Sequence, residues 1–253
     1  MQMIDIPETE AKYQRLEALG KKLGIPLLCG HLDLQVSRSG KLLAHRRQRC
    51  HSWTRNAYNL IFCQLGSCNP TDATFGSGKL SYKITNGTIR YYNGGDTSNE
   101  YGTWVTYIDY YDVETRENES AGRGSRAAAN SDNHGLVVGS SNAAEDFDHF
   151  ALQAPIANGL GAGQLSMIAQ EAPVLSYDAG TKTLTDTLVR FMNNNSGGDI
   201  TVGEVGYICK MQTGTAYSMS LFLFSRDVLD PVVIIPNAGQ IRIQYQISLA
   251  YPA

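Results

Sequence analysis

Charged side chains are scarce in this chain. They make up 18% of its 253 residues, against roughly 25% in an average soluble domain. Hydrophobic residues make up 42%, which excludes an intrinsically disordered chain, and glycine is frequent with 25 residues. Because long solvated helices need many charges, this composition favours short strands joined by turns.

Strong net charge and long apolar runs are also missing. The net charge of −3 excludes a wholly basic nucleic-acid binder but leaves room for a local basic patch. The run Val232–Ile235 is far shorter than the roughly 18 apolar residues of a membrane span, so we expect no membrane partner. Residues 1–10 lack the apolar core of a secretory signal. Together with the odd number of cysteines, five, this predicts reduced thiols and assembly in a cytosol.

Motifs of known catalytic machinery are absent as well. The chain has no G-x-S-x-G elbow, no Walker loop and no H-E-x-x-H helix. Cys50, His51, Cys63 and Cys68 lack the paired spacing of a zinc knuckle, so buried or half-buried free thiols are the favoured interpretation. The sequence therefore predicts a protein that is not an enzyme, with no catalytic residues, no metal and no cofactor.

Two groups of acidic residues allow a chemical alternative. Asp146, Asp148 and His149 can be imagined as an acid–base or metal site, but aspartates so spaced also cap a helical turn, and no third motif converges on them. Glu204 lies between valines on a predicted strand. We expect it to bind a backbone N–H or an arginine such as Arg226.

The clearest helix is predicted over residues 7–23. Pro7 suits a first helical turn, and Gly24 followed by Pro26 ends the helix. Its apolar residues fall on one stripe that needs a partner in water. We therefore predict a docking or oligomer interface that includes Tyr13, Leu16, Leu19 and Leu23.

A basic segment follows the helix. Residues 38–55 contain six cations and no acidic residue, and they run into a second predicted helix near residues 53–62. One interpretation is a docking surface for an acidic partner or, less favoured, for nucleic acid; the other is a solvated loop beside a helix. The candidate docking residues are Arg46, Arg47, Arg49 and Arg55.

From residue 66 onward the pattern is one of strands and turns. Asn86-Gly87 signals a hairpin, and residues 241–249 alternate strictly between apolar and polar. We predict a mainly β fold: an antiparallel, jelly-roll-like β-sandwich body over residues 66–253, with an exposed loop near 114–131 and a helical, basic N-terminal arm over 1–65.

Tyrosines concentrate in residues 82–111. Tyrosine with glycine and asparagine can mark a recognition surface, but tyrosine is also an ordinary strand residue, so both interpretations stay open. The candidate recognition residues are Tyr91, Tyr92, Tyr110 and Tyr111.

Several segments resemble structural proteins of tailed bacteriophages. Residues 136–156 are similar to a recurrent strand "V-V-G-x-G", a turn, "D-x-Y/F-x-L" and a "P-I" segment. Residues 200–207, 225–229 and 231–249 resemble the ending of the same proteins, with "I-T-V-x-E-V-G-L", "R-D-V-L" and a final "V-x-Y-x-I" strand. Residues 52–60 resemble the "S-F-V-x-N" helix that often precedes this pattern.

The resemblance implies a non-enzymatic virion component, most simply of the tail, neck or fibre region. Such a protein would assemble with itself as a trimer or ring and dock to other virion proteins after synthesis in the bacterial cytoplasm. A capsid decoration (cement) protein is the nearest alternative. A glycan-binding or receptor-binding module is the other, since β-sandwich loops rich in tyrosine and asparagine often bind sugars.

Overall fold

The computed structural model describes residues 7–66, 81–91, 124–212 and 219–251. The predicted N-terminal helix is confirmed with the bounds Pro7–Leu23 (α1), and the second helix spans Arg55–Gly66 (α2). The described strands are β1 Leu27–Arg38, β2 Lys41–Cys50, β3 Ser81–Lys83, β4 Ile89–Tyr91, β5 Gly135–Gly139, β6 Ser166–Met167, β7 Val174–Asp178, β8 Thr183–Asn193, β9 Ile200–Gln212, β10 Met219–Ile235 and β11 Gly239–Ala250.

The larger sheet, sheet A, has the strand order β2-β1-β11-β8-β6, with β7 also paired to β8. All its pairings are antiparallel. Alternation along β1 buries Leu32, Leu34 and Val36, while Ile241 and Ile243 do the same along β11. This period of two gives sheet A one face toward the core and one outer face.

The smaller sheet, sheet B, has the order β10-β9-β5. Val138 from β5, Val202 from β9 and Leu229 from β10 share one buried cluster with Leu32 and Tyr245 of sheet A. The two sheets therefore enclose a common core, and the prediction of a mainly β, antiparallel, sandwich-like fold is confirmed. The jelly-roll-like connectivity stays a prediction.

The predicted separation of residues 1–65 as an arm is corrected by sheet A. β1 pairs with β11 along its whole length, from Leu27 opposite Ala250 to Arg38 opposite Gly239, and β2 continues the sheet beyond it. Since β1 also supplies part of the common core, residues 27–50 belong to the body. The basic segment is correspondingly a strand and not a loop over Lys41–Cys50.

Helix α2 packs on sheet B. Ala57 and Leu60 lie in a buried cluster with Phe222 and Phe224 of β10, and Thr54 Oγ1 donates to the Leu223 carbonyl at 2.7 Å. Among the described helices, none combines the length and apolar character that crossing a bilayer demands. Of the predicted exposed loop near 114–131, residues 114–123 lie outside the described part.

Candidate functional site

Helix α1 is held on the outer face of sheet A by one arginine. Arg49 of β2 donates two hydrogen bonds to Glu10, each at 2.7 Å, and a third to Glu17 at 2.5 Å. Its guanidinium carbon also lies 5.0 Å from the centre of the Tyr13 ring. This bidentate ion pair with a cation–π contact fixes both the position and the rotation of α1.

The ionisation of these groups follows from the same contacts. The hydrogen bond from Arg49 lowers the pKa of Glu10. Burial is the largest influence on the pKa of Glu17 and raises it, but the hydrogen bonds from Arg49 and Cys29 and the charge of Arg49 together outweigh burial, so the pKa of Glu17 is also lowered. Burial and the Glu17 carboxylate raise the pKa of the Cys29 thiol to about 11, which keeps it protonated and unreactive at neutral pH.

The predicted apolar stripe of α1 divides in two. The helix turns Tyr13 and Gly20 toward the sheet, where a side chain at Gly20 would collide with Leu27. Leu16, Leu19 and Leu23 are left 53%, 51% and 60% exposed. Together with the exposed Ile25 in the connection to β1, these three leucines form what we call the helix patch.

Replacing Arg49 by glutamine should release α1 from the sheet. We expect a loss of about 1–2 kcal/mol in helix docking, because the two glutamates are about one-third exposed and solvent weakens the pairing. The measurement is hydrogen exchange of the amides in residues 7–23, which should become faster. Arg47→Gln, an exposed arginine on the same strand, is the control; equal exchange in the two variants would contradict this role for Arg49.

Acid should release α1 as well. Both glutamates have folded-state pKa values below the ordinary 4.5, so their pairing stabilises the docked helix above that pH. The stabilisation is lost as the pH falls through the lowered values.

A second apolar surface lies where sheet A extends past sheet B. Leu28, Leu249, Leu184 and Tyr177 stand opposite one another across β1, β11, β8 and β7. The register places this row on the core-facing side of sheet A. Leu28 and Tyr177 are nevertheless 45% and 55% exposed. We call this row the end row.

Most of the candidate docking arginines contact other groups of this chain. Arg46 donates to the carbonyls of Asp230 and Pro231 on β10, and Arg55 pairs with Asp148 at 2.5 Å. With Arg49 bound to two glutamates, three of the four candidate arginines have partners within the chain, although residues 38–55 contain no acidic residue. The counter-ions of Arg49 and Arg55 come from other elements, so a count of the charges within the segment does not include them. Arg47 alone among the four candidates is exposed on the outer face of sheet A without a described ion-pair partner.

The tyrosine candidates are not brought together by the described residues. Tyr92, Tyr110 and Tyr111 lie outside them. Tyr91 ends β4, whose backbone pairs with β3, and its side chain is outside the described part.

The acidic candidates have structural contacts. The Asp148 amide donates to Asp146, forming a local turn, and His149 accepts from the Asp146 amide at 3.1 Å. Glu204 is fully buried and accepts from Arg226 at 2.5 Å and from the Ala154 amide at 2.8 Å. The prediction that Glu204 binds a backbone N–H and Arg226 is therefore confirmed.

One cluster was missed by the sequence reasoning. His51, Glu145 and Asp227 converge from three separate segments, with their potential ligand atoms within 4.8 Å of one another. A hydrogen bond with Glu145 raises the pKa of His51 to about 9, and burial raises the pKa of Asp227 to about 7. The sequence groups His51 with Cys50, Cys63 and Cys68, so its pattern indicates thiol ligands and not Glu145 and Asp227.

Comparisons with protein-family models, curated proteins and solved structures find no match to this chain. The functional interpretation therefore depends on the geometry and on the motifs. Among the described residues, the geometry offers the helix patch and the end row as exposed apolar surfaces and the His51–Glu145–Asp227 cluster as a polar site.

Proposed function

We propose that the protein is a non-enzymatic structural component of a tailed-phage virion, belonging to the tail, neck or fibre region. It acts by assembling with copies of itself and docking to other virion proteins. The motifs of residues 136–156 and 200–249 support the virion assignment. The helix patch is the observation that carries the mode of action.

The helix patch is costly for an isolated molecule. Leu16, Leu19 and Leu23 keep half or more of their surface in water, although α1 itself is fixed to the body by Arg49. Burying each half-exposed leucine contributes roughly 1 kcal/mol. Because the patch lies on a rigidly docked helix, a second copy meets a preformed surface and loses little conformational entropy on binding. The end row is a separate exposed apolar area on the core-facing side of sheet A.

Introducing charge into the helix patch should dissociate the assembly. The double variant Leu16→Glu/Leu19→Glu places two carboxylates in the proposed interface between copies. We therefore expect it to sediment as a single chain of 27.6 kDa. The matched control is Ala11→Glu/Ala18→Glu, which adds the same charge to another exposed face of α1. An unchanged assembly in the leucine variant would show that the interface lies elsewhere.

The virion assignment is tested on particles. Peptide mass spectrometry of particles purified from induced host cells should detect this chain in many copies. Antibody labelling viewed by electron microscopy should place it on the tail or neck. Particles that lack the chain contradict the assignment, and label spread evenly over the capsid favours a decoration protein instead.

A further inference from the structure

The His51–Glu145–Asp227 cluster lies between the two sheets at the edge formed by β2 and β10. His51 directly follows β2 of sheet A, Asp227 lies on β10 of sheet B, and Glu145 comes from the segment after β5. The Ser52 carbonyl accepts from the Arg226 amide at 3.2 Å, which ties the end of β2 to β10. Three independent backbone segments thus direct imidazole and carboxylate groups at one point.

In each of the three side chains, one atom contacts the protein backbone and a second atom remains available to a ligand. His51 Nδ1 faces the Arg49 carbonyl at 3.2 Å, and Nε2 points at Glu145. Glu145 Oε1 accepts from the Val228 amide at 2.8 Å, which leaves Oε2 toward His51. An imidazole that donates one N–H to a backbone carbonyl is the usual arrangement of a metal-binding histidine, because the bond fixes the tautomer that frees the other nitrogen.

The buried carboxylate of Asp227 gives separate evidence that a cation or a hydrogen-bond donor binds at this site. Its side chain is fully buried, and Oδ1 accepts from the His51 amide at 3.3 Å. Oδ2 makes no hydrogen bond of good geometry, and neither do the buried Ser225 Oγ and Tyr245 OH. The Cys50 thiol also lies close to Asp227 and Tyr245. Burial, and then Cys50 and Asp227 nearby, raise the pKa of the Tyr245 phenol, which places that phenol beside the same carboxylate. An unpaired buried carboxylate oxygen costs several kcal/mol unless a cation or donor meets it.

We propose that His51 Nε2, Glu145 Oε2 and Asp227 Oδ2 bind one divalent transition-metal ion, with zinc as the best match. One nitrogen and two carboxylate oxygens are established zinc ligands at about 2.0–2.2 Å. In a tetrahedral zinc site two ligand atoms lie about 3.4 Å apart. The present separations, all within 4.8 Å, therefore need the side chains to close in by up to about 0.7 Å each. Magnesium and calcium prefer sites made only of oxygen, so the imidazole selects against them.

The ion would add a link between the two sheets at an edge where Arg46 and Gln48 of β2 already donate hydrogen bonds to carbonyls of β10. It would also offset the repulsion between two carboxylates drawn together in a poorly solvated place. His51 is half-exposed, so an ion can reach the site from solvent. Three protein ligands leave a fourth position for water or for a group from another protein.

The test is zinc binding to the full-length protein, measured by isothermal titration calorimetry and by metal analysis after dialysis. We expect one zinc per chain in the unaltered protein and a rise in melting temperature that EDTA reverses. Asp227→Asn and Glu145→Gln keep the side-chain volumes and should each weaken zinc binding by more than about 100-fold, because even loss of a supporting contact costs 10–100-fold.

The matched control is Asp148→Asn, which removes a neighbouring carboxylate that is paired with Arg55 and stands outside the cluster. It should bind zinc as the unaltered protein does. Less than one zinc per chain in the unaltered protein would overturn the proposal. So would equal zinc affinity in Asp227→Asn, Glu145→Gln and the control, which would assign any bound zinc to the free thiols.

Discussion

Replacing Glu204 by alanine should lower the free energy of unfolding by about 3–5 kcal/mol. Glu204 and Arg226 are both buried to within 1% of their side-chain surface and lie 2.5 Å apart. Glu204 also accepts from the amides of Gln153 and Ala154 at 3.2 and 2.8 Å. Alanine would leave the guanidinium without its counter-ion inside the protein and would orphan two amides, and each of these changes carries a large desolvation cost.

Urea denaturation followed by fluorescence measures this effect. Glu204→Gln keeps an oxygen for one of the two amides but no charge for Arg226, so we expect it to destabilise the protein as well, though less than alanine does. Glu171→Ala removes an exposed carboxylate and should change stability by less than about 0.5 kcal/mol. If Glu204→Ala lowers the free energy of unfolding as little as Glu171→Ala does, the ion pair does not hold the segment after β5 onto sheet B.

Replacing Arg190 by lysine should cost about 3 kcal/mol or more, despite the retained charge. Arg190 is fully buried on β8 and donates to the carbonyls of Ser131 at 2.5 Å, Leu136 at 2.7 Å and Ile168 at 3.1 Å. Burial lowers its pKa to about 10, so it stays charged at neutral pH. A lysine ammonium carries its three N–H donors on one nitrogen. It therefore cannot reach all three carbonyls, which the separate nitrogens of the Arg190 guanidinium contact on different sides.

The matched control is Arg242→Lys on the neighbouring strand β11. Arg242 is only half-buried and donates at 2.6 Å to Gln244, so lysine should be tolerated within about 0.5 kcal/mol. Both variants are compared by the midpoint of urea unfolding. A loss below about 1 kcal/mol for Arg190→Lys would mean that the three carbonyls find other donors.

The parts of the fold predicted correctly are those that a local pattern determines. The alternation of residues 241–249 gave the buried face of β11, and the proline and glycine signals gave both ends of α1. The pairing of Glu204 with Arg226 was also foreseen, because a carboxylate between valines on a strand needs a nearby donor.

The parts that were missed depend on contacts between distant segments. The alternation of Leu32, Leu34 and Val36 predicts a half-buried strand but not that its partner is β11, at the other end of the chain. Arg49 finds its counter-ions on α1, beyond the window of a local charge count. The pairing with Arg49, together with the close approach of Gly20 to Leu27, is consistent with the rotation of α1 that leaves the three leucines exposed.

The metal-binding cluster was hidden for the same reason. His51, Glu145 and Asp227 have no recognisable spacing in the sequence, because sheet A, sheet B and the segment after β5 each contribute one residue. Cys50, which directly precedes His51, indicates thiol ligands instead.

We propose that the protein works as an assembly through exposed apolar surfaces. Size-exclusion chromatography with light scattering, run on the unaltered full-length protein across a concentration series, measures the assembly state. We expect a defined species whose mass is a small whole-number multiple of 27.6 kDa and which dissociates in Leu16→Glu/Leu19→Glu. A mass of 27.6 kDa at every concentration would contradict it.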